Sequence, residues 1–208
     1  MLEENKTKKM ALLGIFIAII LALAFSGIGY IPLGFMNATI VHIPVIVGSI
    51  LLGPKEGMIL GLVFGLTSII NNTFKPNVTS YVFSPFYSVG EAKGNFWSIV
   101  IAIFPRMMIG VTTYYTYKGL GAKLRSKEVS YFIAGVVGSI TNTILVMSGI
   151  YVFFGQSYAA TQGVLLEGLF GMILTVILIN GIPEAIVAGI ISLALCRALT
   201  PVMKKQIA

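Results

Sequence analysis

Four polar groups stand deep inside long apolar stretches of this sequence: Arg106, Asn142 with Thr141 and Thr143 on either side, Asn180 and Glu184. A charge at the centre of a bilayer costs about 2.5 to 3.5 kcal/mol on insertion scales, so such residues face a protein interior and find partners there. Two arrangements satisfy them. In one, Arg106 and Glu184 form a structural ion pair while Asn142 bonds an adjacent helix. In the other, the four groups line a pocket for a polar solute. Counting from Asn95, Arg106 lies about 16 Å down its helix at 1.5 Å per residue, so a solute from outside must travel to mid-membrane to meet it.

Three further features bear on such a pocket. His42 is the only histidine, next to Pro44 at the start of an apolar block. Without neighbouring carboxylates or cysteines one imidazole is not a metal site, which leaves an interfacial cap or a pocket donor. Pro105 and Pro183 each sit one residue before a buried charge, and a proline frees a carbonyl one turn earlier, so a kink beside each charge can shape a cavity. Residues 73–94 hold Phe74, Tyr81, Phe83, Phe86 and Tyr87, stiffened by Pro76 and Pro85. A loop of that length is a lid or a linker; its aromatics favour a lid over a ligand, with an interfacial belt in the head groups as the alternative.

Other chemistries are excluded by what is missing. The sequence contains no Gly-x-x-x-x-Gly-Lys-Ser/Thr run to cradle ATP phosphates, no His-Glu-x-x-His, no Gly-x-Ser-x-Gly and no pair of intramembrane aspartates. Cys196 stands alone, which forbids a disulfide framework and a thiolate metal site and fits apolar filler. The halves show no convincing repeat, which weakens the case for a self-sufficient rocker-type carrier.

The elements that position these groups are membrane helices. The chain is 57% apolar and 10% charged, against roughly 25% charged for a soluble domain. Six apolar blocks follow one another: 10–28, 38–52, 57–71, 96–117, 130–154 and 168–199. Blocks two and three are short, joined by Gly53-Pro54-Lys55-Glu56-Gly57, and read as two short spans rather than a re-entrant hairpin. Their far ends, 37–42 and 71–73, are polar and suggest a basin open to water. The first block follows a basic start but runs too long for a signal peptide and is read as a retained helix. Lysines and arginines gather in every second gap: eleven on one side, Lys75 and Lys93 on the other, and Arg106 within a block. By the positive-inside rule both termini face the cytosol. The net charge of +7 is explained by anionic head groups and needs no nucleic acid. The expected architecture is an all-α integral membrane protein with six transmembrane helices and an outward-facing ligand pocket. Residues 1–208 form one domain, with residues 73–94 as its extracellular lid.

Block one also repeats small residues: Ala11, Gly14, Ala18, Ala22 and Ser26. Residues four apart share a helix face, and small side chains allow a second helix to approach closely in lipid. The partner is either another helix of this chain or another protein.

Several of these segments together carry a family resemblance. Ala18-xxx-Ala22 in the first helix, His42-Ile-Pro-Val-Ile-Val-Gly-Ser-Ile-Leu-Leu-Gly-Pro-Lys55, Thr141-Asn-Thr143 and Asn180-Gly-Ile-Pro-Glu184 resemble the substrate-binding S components of energy-coupling factor (ECF) vitamin transporters. The likeness covers nearly the whole chain. It implies a vitamin bound in the outer half, docking of the first helix through Gly14, Ala18 and Ala22 onto a transmembrane coupling subunit (EcfT), and two cytoplasmic ATPases. ATP is then used by those partners, with no cofactor in this chain, and hydrolysis drives the S component to topple and release its cargo inward in a bacterial or archaeal plasma membrane. The run from Phe83 to Gly90, Gly94-Asn-Phe-Trp-Ser98 and Pro105-Arg106 is most similar to the pantothenate-type branch. That branch implies a carboxylate on Arg106, with Asn142 and Thr143 serving amide and hydroxyls, and Asn180, His42, Tyr87 and Glu184 nearby. Glu184 repels an anionic ligand unless Arg106 or a proton neutralises it. Riboflavin, stacked on lid aromatics, is the alternative within the family. Outside it stands a proton-coupled secondary carrier with Glu184 as the titrating group. An intramembrane enzyme lacks a nucleophile and base.

Overall fold

The computed structural model describes residues 2–27, 29–32, 37–124 and 126–207. The chain forms α1 (Leu2–Ser26), a hairpin of β1 (Tyr30–Pro32) and β2 (Asn37–Thr39), α2 (His42–Leu52) and α3 (Pro54–Phe74). A loop follows with a one-turn 3-10 segment (Ser80–Val82) and a second hairpin, β3 (Ser88–Val89) and β4 (Ala92–Lys93). Then come α4 (Phe96–Gly121), α5 (Lys127–Gln162), α6 (Leu166–Val176), a π-helical turn (Ile177–Gly181) and α7 (Ile182–Ile207).

Among the described residues five helical runs are long and apolar enough to cross a membrane: 6–26, 54–74, 96–121, 127–162 and the continuous run 166–202 through the π turn. The second apolar block forms a shorter helix. At 11 residues, α2 is about 16 Å long at 1.5 Å per residue, short of a roughly 30 Å hydrocarbon core. A helix that is apolar all round has no face to give to water and is buried, and ten of the eleven α2 residues are buried against α1, α3, α4, α5 and α7. It joins α3 through a single residue. Gly53, at φ 118°, makes the turn, in a region that only glycine enters without strain, and Pro54 starts α3 at the helical position where its missing N–H costs nothing.

The expected gap at 154–167 is also shorter than the composition suggested. The helix runs on to Gln162, and left-handed Gly163 (φ 69°) ends it, with Val164 N–H donating to the Ala159 carbonyl at 3.0 Å.

Glycines set the closest helix contact. Gly57, Gly61 and Gly65 form one face of α3 laid on the α4 backbone: a Cβ at Gly61 would strike the Arg106 carbonyl, and one at Gly65 would lie 2.8 Å from the Ala102 carbonyl. Ser49 of α2 adds a hydrogen bond to the Gly110 carbonyl.

The base-rich gaps gather at one end of the bundle. Lys9 pairs with Glu56 at 2.7 Å, tying α1 to the start of α3, and Arg197 lies 3.6 Å from Glu128, tying α7 to the start of α5. The 75–95 loop caps the other end. Two buried apolar clusters fill the interior, one around α2 with Phe16, Ile46, Leu60, Phe64 and Ile109, the other joining the loop to α5 and α6 through Tyr81, Ile101, Met147, Phe154 and Leu169.

Candidate functional site: a polar cavity under the loop

Arg106 owes its position to the proline before it. Without an N–H, Pro105 leaves the Ile101 carbonyl free of its helical partner, and Arg106 Nη1 donates to that oxygen at 2.7 Å. The guanidinium carbon lies 5.4 Å from the centroid of Phe64 and 5.2 Å from that of Phe83. The residue is only 6% exposed, and that exposure opens into a cavity.

Across the cavity stands α5. Asn142 is 9% exposed, and its Oδ1 has no hydrogen-bond partner among the described residues. Thr143 returns its hydroxyl to the Ser139 carbonyl at 3.3 Å.

The third wall is the π turn. A π turn inserts an extra residue into the helical ladder and is frequent at functional sites; here Ile182 N–H reaches back five residues to the Ile177 carbonyl. It brings Asn180, Gly181 and Glu184 to the cavity, with a Cβ at Gly181 only 2.9 Å from Thr143 Cγ2. Asn180 Nδ2 is buried without a partner among the described residues. Glu184 Oε1 accepts the Thr39 backbone N–H at 3.0 Å.

The remaining wall comes from residues that were not singled out in the sequence: Thr39 from β2, Ser68 and Asn72 from the polar end of α3, Asn77 and Thr79 from the loop, and Tyr158 from α5. The polar chain ends at 37–42 and 71–73 were the only local signal for the first of these. Val146, Met147, Ile150 and Val176 make the apolar part. Together these residues line one cavity.

The loop is fastened rather than loose. Asn95 and Ser98 form a reciprocal cap at the start of α4, and Ser98 Oγ donates to the Tyr81 carbonyl at 2.7 Å. Ser80 Oγ donates to Asn72 Oδ1 at 2.7 Å, and the Thr73 and Ser84 hydroxyls meet at 2.7 Å. Tyr81, fully buried, meets the Thr161 hydroxyl at 3.0 Å; burial raises its phenol above the usual range and keeps it neutral. Phe83 is the loop aromatic that enters the cavity wall.

Five of the seven expected ligand residues thus converge: Arg106, Asn142, Thr143, Asn180 and Glu184. The other two lie elsewhere. His42 is 2% exposed, its Nδ1 3.7 Å from Glu184 Oε1, behind the wall rather than in it. Tyr87 packs against the second apolar cluster. On α1, Phe16, Ile20 and Ala24 are buried, while Gly14, Ala18 and Ala22, two positions away and so on the opposite face, are exposed.

The wall therefore offers one guanidinium, a carboxylate already occupied by a backbone N–H, several amides and hydroxyls, and an apolar flank. Such a set suits a small solute with one anionic group and several neutral hydrogen-bonding groups.

Sequence comparison agrees with a solute-binding role. Residues 8–196 match the family model described as ECF transporter, substrate-specific component. The chain is 34% identical over 203 residues to the pantothenic acid transporter PanT of Lactococcus lactis subsp. cremoris, covering 96% of this chain and 97% of that one. It is 25% identical over 214 residues to the pantothenate transporter PanT of Leuconostoc mesenteroides subsp. mesenteroides, covering 98% of each. With a match over nearly its whole length, this chain belongs to the family of ECF transporter substrate-specific components.

Proposed function

We propose that this chain is the pantothenate-binding subunit of an ECF importer in the plasma membrane, taking the vitamin from outside into the cavity beneath the 75–95 loop. The observation that carries the reading is a buried arginine opening onto a cavity otherwise lined by amides, hydroxyls and apolar groups, in a chain similar to two pantothenate transporters. Pantothenate carries one carboxylate, one amide, two hydroxyls and a branched apolar centre. Arg106 takes the carboxylate through charge-assisted bonds, which are about twice as strong as neutral ones. Asn142, whose Oδ1 is unpartnered, accepts from a ligand N–H or O–H; Asn180, whose Nδ2 is unpartnered, donates to a ligand oxygen. Thr143 serves a second hydroxyl. Glu184 Oε1 is held by the Thr39 N–H, and Arg106 in the same cavity wall offsets its charge toward an anionic ligand.

The exposed face of Gly14, Ala18 and Ala22 supports docking of α1 onto the coupling subunit, since small side chains let helices approach closely in lipid. Energy then comes from ATP hydrolysed by the two partner ATPases, and the base-rich end of the bundle faces the cytosol.

The test is titration of pantothenate into the purified chain in lipid nanodiscs. Saturable binding is expected in the wild type, and Arg106→Ala should weaken it about a hundredfold or more, as loss of one partner of a buried charge pair costs roughly 2–5 kcal/mol. Binding of riboflavin with indifference to pantothenate would overturn the ligand. Uphill uptake by vesicles holding this chain alone would overturn the class.

A further inference from the structure

The Arg106 guanidinium lies over two aromatic rings that come from different parts of the fold. Phe64 belongs to α3, is fully buried and sits in the apolar cluster around α2. Phe83 belongs to the loop, is half-buried and packs with the second cluster. The centroid distances of 5.4 and 5.2 Å are both inside the roughly 6 Å reach of a cation–π contact. We propose that Phe83 is a positioning residue for the anion site: the loop sets the affinity for a carboxylate by holding this ring over Arg106.

The argument is electrostatic and geometric. A guanidinium is planar, weakly hydrated and stacks on aromatic faces, while its N–H donors all point outward in its own plane. A ring covering a face excludes water there and stabilises the positive charge through its quadrupole, yet leaves the donor edge untouched. With Nη1 drawn to the Ile101 carbonyl, the plane of the group is set from within its own helix. A carboxylate then meets a donor edge that is already oriented and poorly hydrated, and little ordering remains to be done on binding. Phe64 supplies this on the side of the bundle. Phe83 supplies it on the side of the loop, and the bonds fastening residues 80–84 to α3 and α4 hold it there. The loop thereby contributes to anion affinity through a residue that carries no polar atom.

This rests on the pantothenate reading, and the experiment separates the two. Affinities of the wild type, Phe83→Leu, Phe83→Met and Phe83→Tyr are measured in nanodiscs for pantothenate and for pantothenol, in which a primary alcohol replaces the carboxylate, the latter by competition. Phe83→Leu should lose about tenfold or more for pantothenate, the scale of a desolvated cation–π contact, and less than about threefold for pantothenol. Phe83→Tyr, which keeps the ring, should behave as the wild type. Phe83→Met replaces the ring with a flexible apolar chain that fills irregular gaps and gives the same reading if the leucine variant does not fold. Equal losses for both ligands would show that Phe83 merely packs against solute, and no loss would show that its ring is idle; either overturns the proposal and leaves the vitamin assignment standing. A wild type that ignores pantothenate rejects both.

Discussion

The Thr39 backbone N–H donates to Glu184 Oε1 at 3.0 Å, joining the strand that leads into α2 to the helix that follows the π turn. The two residues are 145 positions apart, and both line the cavity. The side chain of Glu184 is therefore a tie across the site, with His42 Nδ1 3.7 Å from the same oxygen.

A tie needs an acceptor, not a charge. Glu184→Gln keeps an oxygen for Thr39 and should bind pantothenate within about threefold of the wild type. Glu184→Ala leaves a donor without its partner, at a cost of about 1–3 kcal/mol, and should weaken binding about tenfold or more while speeding amide exchange at Thr39. Calorimetry and hydrogen exchange check this; equal losses in both variants would show that the charge itself is needed.

Gly61 places Arg106 by letting α3 lie on the α4 backbone. A Cβ there would also be 2.7 Å from the Met107 Cα, and backbone does not yield as a flexible side chain does. Gly61→Val should cost about 1–3 kcal/mol of stability, the range for overpacking, and lower pantothenate affinity as the helices part. Gly171→Ala, where a Cβ meets nothing within 4 Å, should change neither. Thermal unfolding in detergent and ligand titration give both numbers.

Stability and affinity should move in opposite directions at Asn142. Its unpartnered Oδ1 burdens the ligand-free protein, and replacing an unsatisfied polar group by an apolar one of similar size is nearly neutral or stabilising. Asn142→Leu should leave unfolding unchanged or raise it by about 1 kcal/mol, and reduce pantothenate affinity about tenfold or more. A stability loss of several kcal/mol with affinity intact would assign Asn142 to structure.

On α1 the two faces should separate transport from folding. Ala18→Trp with Ala22→Trp alters only exposed positions, so vitamin binding should persist while uptake by the assembled importer falls to background. Ile20→Ala, on the buried face, should instead cost about 2–5 kcal/mol of stability. Uptake assays in cells and binding to purified protein distinguish the outcomes, and transport by the double tryptophan variant would remove this face from the coupling contact.

What could be read in the chain was whatever depends on nearest neighbours and on composition. Long apolar runs announce helices, because every backbone polar group in lipid must be satisfied within its own segment. Arg106, Asn142, Asn180 and Glu184 stand out because ionisable and amide side chains are costly in such runs, and Pro105 foretold the freed carbonyl that Arg106 now fills. The missing nucleotide motif and the family membership were equally legible. Convergence was not. Thr39, Asn72, Phe83 and Tyr158 join the site, and His42 and Tyr87 stay out of its wall, because helix rotations and separations are set by contacts between residues far apart in sequence. The α3 glycines on the α4 backbone and the extra residue of the π turn are two such contacts. The 11 residues of α2 make the same point: their apolarity announced a helix, but only its neighbours decided that it is enclosed by protein on nearly every side. Hydropathy is a property of each residue, whereas the orientation of a side chain toward a shared cavity is a property of the packed whole.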